Sequence, residues 1–379
     1  MRRKQQTTPD SPTGTPSCPQ VKENTKIPLS FLRQIQSEST NEAWTCLFQH
    51  AWDICSQAIS TNASVDEVAS QIAHRDYALH PVDQLVATAF WDLWKAYESS
   101  VTLTSQRLVQ WWNDRATFQD QGRAVLVLDA LSLREVPWLL QGAESRGYQI
   151  HQACATGAEL PADTQSFALA LGFRNRSELA DSAHASHGLL SHATTDTTDI
   201  PFSDCAAQVA SSRDILIWHH WPDDRVHSLA SPGRGILALA KETAEQLTSE
   251  GFWSLIHALT QGRRLIVTAD HGYAASGNFP NVDGRNQSKS LADRYKAQRF
   301  VTAEVARKRT PKSMNHIGGG IPLDLRMTTR HDDMYFVLGR RQWRIHSGYP
   351  TLTHGGLSLL EVAVPFVELS RRERQGNDK

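Results

Sequence analysis

Six acidic and imidazole side chains, scattered from residue 129 to residue 354, are of the types and placements that could hold metal ions for phosphoester hydrolysis. Asp270 and His271 follow the apolar run Leu265-Ile266-Val267 in the stretch Thr268-Ala269-Asp270-His271-Gly272. Asp129 ends a second run, Ala124-Val125-Leu126-Val127-Leu128. In an open α/β sheet, residues just past the carboxyl ends of strands sit in the crevice where ligands bind. Asp223 and His227 stand four apart after Pro222, so a helix there puts both on one face. His354 is followed by two glycines. Carboxylate oxygens and imidazole nitrogens suit divalent cations, and a two-metal phosphoester site needs such donors, a nucleophile and an open face. Each fragment alone is commonplace; the order and strand-end placement of the set carry the reading.

Two hydroxyls compete for the nucleophile. Ser132 lies close to Asp129 but at a helix start, where a capping role suits it better. Thr164, in Leu160-Pro161-Ala162-Asp163-Thr164, opens an Ala/Leu-rich helix whose free N–H groups would suit a phosphoryl oxygen. Thr164 or Asp163 could equally be an N-cap. Asp224 and the pair His219-His220 offer other ligands beside Asp223. Asp163 adds negative charge next to Thr164, and only Arg174 and Arg176, downstream, are candidates for holding a phosphate. That scarcity favours a diester over a monoester.

The elements that would position these residues change character near residue 120. Residues 1–26 are rich in Thr, Pro, Ser and charge and read as a disordered tail. Helical spacing dominates from 27 to 119, at 41–60, 64–73, 81–99 and 105–114. Trp44, Trp52, Trp91, Trp94, Trp111 and Trp112 read there as packing anchors, with few basic residues between them to favour base stacking. From 121 onward short apolar strands alternate with helices, the pattern of a doubly wound sheet. Strands are expected at 124–128, 148–153, 214–218, 264–268, 333–338 and 364–369, and helices at 132–146, 164–172, 202–210, 225–231, 243–260 and 357–362. Residues 274–330 are polar and basic and read as a loop or cap inserted over the crevice. A charged tail closes the chain at 372–379.

With 39 basic and 40 acidic residues, the chain carries no global positive charge for coating nucleic acid. Five scattered cysteines without a Cys-x-x-Cys pair fit a reducing compartment. No apolar stretch reaches the roughly 20 residues a membrane span needs. Basic residues at the start are not followed by an apolar segment, unlike a secretory signal. These features lead to the expectation of a cytoplasmic protein that does not enter membranes.

The ordered set Asp129, Thr164, Asp223-x-x-x-His227, Asp270-His271 and His354 resembles the alkaline phosphatase superfamily. Within it, Val127-Leu128-Asp129-Ala130-Leu131, Leu160 to Thr164, Thr268 to Gly272 and His354-Gly355-Gly356 through Pro365 most resemble the PglZ domain, over roughly residues 121–371. That family is best known from bacterial anti-phage systems. The resemblance implies an α/β fold, a doubly wound and mostly parallel sheet of the alkaline-phosphatase type at 120–371, preceded by a small helical domain. It also implies two divalent metal ions, zinc above all, with manganese or magnesium as alternatives. Asp223, His227 and His354 would hold one; Asp129, Asp270, His271 and the Thr164 oxygen would hold the other. Thr164 would attack phosphorus and form a phospho- or nucleotidyl-threonine. The implied activity is that of a phosphodiesterase or nuclease on nucleic acid or nucleotides, with possible protein partners in a defence system. The alternatives are a phosphomonoesterase or a non-catalytic assembly or regulatory subunit. The sulfatase branch is excluded by the lack of its Cys/Ser-x-Pro-x-Arg loop.

Overall fold

The computed structural model describes residues 29–37, 39–60, 63–114, 121–180, 189–190, 192–230, 235–275, 282, 285–309, 327–346 and 348–372. The tail read at 1–26 lies outside them, as do 373–379 and, within the inserted segment, 276–281, 283–284 and 310–326.

Among the described residues the first part is built of helices: α1 (Leu29–Ser37), α2 (Thr40–Cys55), α3 (Val65–Thr88), α4 (Tyr97–Ser100) and α5 (Thr104–Asn113). Capping boxes open α2 at Ser39 and Glu42 and α3 at Ser64 and Glu67. In each, the hydroxyl accepts the N–H of the Glu three residues on while that Glu's carboxylate accepts the cap's own N–H. Where the sequence suggested two helices, α3 runs unbroken with Pro81 inside it.

Strands and helices then alternate: β1 (Gly122–Leu128), α6 (Val136–Ser145), β2 (Tyr148–Gly157), α7 (Thr164–Ala170), β3 (Thr194–Thr198), α8 (Phe202–Gln208), β4 (Asp214–His219), α9 (Asp223–Ser228), α10 (Gly235–Thr248), α11 (Glu250–Leu259) and β5 (Arg263–Thr268). The expected helix at 243–260 is two, because Ser249 caps α11 with its hydroxyl on the Phe252 N–H. The inserted segment is richer in strands than its polarity suggested. After β6 (Ala274–Ala275) come α12 (Arg285–Tyr295), β7 (Phe300–Thr302), α13 (Ala303–Arg309), β8 (Thr328–His331) and β9 (Met334–Val337). A three-stranded sheet, β7-β9-β8, packs there around Leu291, Tyr295, Val301 and Trp343. The chain ends through β10 (Leu352–Thr353), α14 (Leu359–Val362) and β11 (Ala363–Arg371).

The main sheet has six strands in the order β2-β11-β5-β1-β4-β3. Pairings among β5, β1, β4 and β3 are parallel, while β11 runs antiparallel to both β5 and β2. The fold is therefore α/β with a mostly parallel sheet. Side chains alternate between faces along a strand, and β1 shows it directly. Ala124, Leu126 and Leu128 join one apolar cluster; Val125 and Val127 join another on the opposite face. Both faces are covered, which is why the central strands read as continuous apolar runs.

The N-terminal helices supply part of that cover. Trp44, Leu47, Phe48 and Trp94 share a cluster with Leu126 and Val267. Trp111 and Trp112 pack with Val125 and Phe366 on the other face. These four tryptophans are buried and serve as packing anchors. No helix among the described residues is long and apolar enough to cross a membrane.

Candidate metal centre

The candidate ligands gather at the carboxyl ends of the parallel strands. Asp129 follows β1, Asp270 and His271 follow β5, and Asp223 and His227 occupy α9 just beyond β4. Thr164 opens α7 after β2, and His354 precedes α14 and β11. Donor atoms of Asp129, Asp270 and His271 lie within 4.8 Å of one another, as do those of Asp223, His271 and His354. His227 joins the second group, its Nε2 lying 3.2 Å from Asp223 Oδ2 and 3.2 Å from His354 Nε2. Thr164 joins the first, its Oγ1 standing 3.3 Å from each Asp129 oxygen. His271 belongs to both groups, and its ring stacks on that of His354 with centroids 4.3 Å apart.

These separations suit ligands that share cations better than partners in hydrogen bonds. His271 Nε2 lies 3.5 Å from Asp129 Oδ1 and 3.4 Å from Asp270 Oδ2, and His354 Nε2 lies 3.6 Å from Asp223 Oδ1. Two donors bound at ~2.0–2.1 Å to one tetrahedral ion stand roughly 3.4 Å apart. Charge-assisted N–H···O contacts would close to about 2.8 Å. Asp223 Oδ1, Asp270 Oδ2 and His271 Nε2 are buried without a hydrogen-bond partner. Buried polar atoms are normally paired, so unpartnered atoms in both donor groups, with His271 common to the two, fit cation ligation. The rest of each residue is held: the Asp270 Oδ1 accepts the Ala130 N–H at 3.0 Å, and His271 Nδ1 lies 2.9 Å from the Gly272 carbonyl. A ring nitrogen donating to a carbonyl leaves the other free to ligate.

Electrostatics agree with that donor set. Burial, together with the neighbouring Asp270 charge, pushes the Asp129 carboxyl up to about 8. Burial also opposes charge on Asp223, but His227, His354 and His271 outweigh it and hold its carboxyl below the usual range. Burial disfavours a charged His271, yet Asp270 and Asp129 hold its imidazole well above the ordinary value. Burial and the adjacent His271 push His354 down to about 3. Like charges crowded out of water are what bound divalent ions relieve.

Glycines set the loops. A Cβ on Gly272 would overlap the Leu360 carbonyl oxygen, so this position is reserved for close backbone approach. Gly355 has φ +92°, and a Cβ there would run into the Phe300 ring. Phe300 in turn lines a cavity of about 500 Å³ with Asp163, His227, Gln298, Pro350 and His354.

The remaining sequence candidates point elsewhere. Ser132 caps the turn at 133–135, its Oγ accepting from the Arg134 N–H. His219 spends both nitrogens, one on the Ile200 carbonyl and one on the Trp221 N–H. His220 Nε2 pairs with Thr197 Oγ1, and Asp224 is exposed. Asp163 N-caps α7 through the Ser166 N–H. Arg174 pairs with Glu178, whereas Arg176 turns inward and pairs with Asp129 Oδ2. The sequence offered Arg176 only as a downstream cation, because the fold of the connection after α7 is what returns it to the cluster.

No curated protein matches the chain. Among solved structures, murine ectonucleotide pyrophosphatase/phosphodiesterase 5, in an inactive form in complex with AMP, is similar at 12% identity. It aligns over 66% of this chain and 88% of its own, with a TM-score of 0.38. The human protein of the same name aligns over the same shares at 10% identity and a TM-score of 0.38. A family model described as the BREX system PglZ alkaline phosphatase-like domain matches residues 147–369. The match takes in Thr164, Asp223, His227, Asp270, His271 and His354, and the chain belongs to this PglZ family.

Proposed function

We propose that this chain is a metal-dependent phosphoesterase in which Thr164 is the nucleophile and the substrates are phosphodiesters of nucleic acid or nucleotides. The observation that carries the reading is the spacing of 3.2–3.6 Å within two sets, Asp129, Thr164, Asp270 and His271 and Asp223, His227 and His354, which meet where His271 lies within 4.8 Å of Asp223 and His354. Asp223, His227 and His354 would hold one divalent ion; Asp129, Asp270, His271 and Thr164 would hold the other, with zinc favoured by the mixed carboxylate and imidazole set. When bound, such ions supply positive charge to phosphoryl oxygens and lower the barrier to in-line displacement. Thr164 is only half-buried, and its hydroxyl faces Asp129, which can accept its hydrogen bond. Attack by Thr164 Oγ1 on phosphorus forms the O–P bond as the leaving alcohol departs with the hydroxyl's proton, and water then cleaves that bond, freeing the phosphomonoester and restoring the Thr164 hydroxyl. The BREX name of the matched family supports a place in anti-phage defence beside other proteins of such a system.

The test is hydrolysis of bis-p-nitrophenyl phosphate with added zinc or manganese, by the full chain and by Thr164→Ala. Metal-dependent release that Thr164→Ala abolishes supports the reading. Equal rates in both proteins remove Thr164 from the chemistry.

A second reading, a non-catalytic assembly subunit, draws support from one contact. Arg176 pairs with an Asp129 oxygen that an ion would otherwise take. Less than one tightly bound metal per chain, with no hydrolysis, would decide for it.

A further inference from the structure

Beneath the ligand loops lies a web of buried charges that the chemistry above does not use. Its carboxylates come from α3, outside the residues matched to the family. Asp76 receives Arg134 and Arg340, and Asp83 receives the Arg340 Nε at 2.7 Å. All four side chains are at most 3% exposed.

From these pairs two routes reach the candidate ligands. Arg134 donates at 2.8 Å to the Tyr273 carbonyl, two residues after His271, and at 2.9 Å to Ser132 Oγ, three after Asp129. Its guanidinium also lies over the Tyr273 ring, whose hydroxyl donates to Glu135 at 2.6 Å. Asp83 Oδ1 accepts the Leu359 N–H at 2.6 Å, at the start of α14. Within α14, the Glu361 carbonyl accepts the Gly272 N–H at 2.9 Å. The Glu361 carboxylate accepts the Gly356 N–H at 2.8 Å, two residues after His354.

We infer that Asp76 and Asp83 are positioning residues of the metal centre, fixing the loops that carry His271 and His354 from a helix outside the family match. This rests on the metal reading given under Proposed function. Buried ion pairs are a poor source of net stability, because desolvation offsets their attraction. Their fork geometry nevertheless fixes positions closely, and groups that orient metal ligands typically change affinity by about 10–100-fold when replaced.

The experiment measures zinc affinity of the full chain by competition with a chromophoric chelator, without reference to activity. Asp76→Asn and Asp83→Asn are compared with Asp214→Asn, all at temperatures where near-ultraviolet circular dichroism is native. Asp214 pairs with Arg123 at the opposite end of the sheet, where β1 and β4 begin, so it controls for loss of a buried charge as such. Arg340→Lys keeps the charge balance and gives up the fork, and stands in if an asparagine variant does not fold. A loss of at least about tenfold in the α3 variants, with Asp214→Asn unchanged, supports the inference. Faster hydrogen exchange at the Gly272 amide in zinc-free Asp83→Asn would add to it. Unchanged affinity in folded α3 variants, or an equal loss in Asp214→Asn, overturns it and leaves the metal reading standing. A wild-type chain that takes up no zinc overturns both.

Discussion

His271 and His354 stack with 19° between their ring planes, although one follows β5 and the other precedes β11. Their side-by-side placement makes His271 common to both groups of donors, while His227 belongs to one and is largely exposed. With Nδ1 on the Gly272 carbonyl, His271 can ligate one ion through Nε2 while lying beside the donors of the other, so His271→Ala is expected to remove zinc at its own position and weaken it at the second, and His227→Ala to lower it at one. Metal content after dialysis, measured by atomic emission, checks this. Equal stoichiometry in the two variants would count against the shared role.

Arg176 brings a guanidinium onto the candidate ligand Asp129. A monoester presents one more anionic oxygen than a diester, and a guanidinium fork suits such oxygens. Arg176→Ala should raise KM for p-nitrophenyl phosphate by on the order of tenfold or more, equivalent to one lost charged hydrogen bond. The effect on bis-p-nitrophenyl phosphate should be smaller. A uniform drop in kcat on both esters, together with lost metal, would instead mean that Arg176 acts only by holding Asp129.

Gly272→Ala sets a methyl group against the Leu360 carbonyl, which is backbone and cannot swing aside. It also strains the Gly272 N–H bond to the Glu361 carbonyl. Overpacking of this kind costs about 1–3 kcal/mol, and the displaced neighbour is His271. A lower urea midpoint together with weaker zinc binding is expected. Retained affinity would show that the loop yields away from the ligands.

Glu159 links stability to pH. Its Oε1 accepts the Ser105 N–H at 3.1 Å, its Oε2 is buried without a partner, and burial pushes its carboxyl up to about 7. A group with a raised folded-state pKa favours the folded state most when protonated. That contribution is full below the unfolded value near 4.5, fades as pH rises toward 7, and is absent above it. Glu159→Gln keeps the acceptor without the charge. It should leave stability unchanged near pH 4.5 and raise it by up to roughly 3 kcal/mol at pH 8. Urea midpoints at the two pH values test the sign; an equal shift at both would contradict it.

Much of the candidate site could be read from sequence because its residues follow apolar runs that could only be buried strands. Asp129 and Asp270 were visible for that reason. What stayed hidden depends on contacts between distant segments. Strand β3 is Thr194-Thr195-Asp196-Thr197-Thr198, a polar edge strand with no apolar signal to betray it. Helix α3 continues through Pro81 although proline interrupts helical hydrogen bonding. Asp76 and Asp83 on either side are held by one arginine from the far end of the chain. In sequence those carboxylates look like any solvated helix face. Nothing local to Gly272 reveals the approach of the Leu360 carbonyl that requires a glycine there.

Strand β11 lies inside the sheet, between β2 and β5, yet it follows every other described strand in the chain. A nascent chain emerging from the ribosome must hold β2 and β5 apart, with raw hydrogen-bonding edges, until β11 arrives to fill the gap. His354, which leads into that strand, reaches its partners at the same late moment. Gathering of the candidate ligands is thus deferred until β11 has been made, and a chain cut short before that strand would leave the β2 and β5 edges open to aggregation.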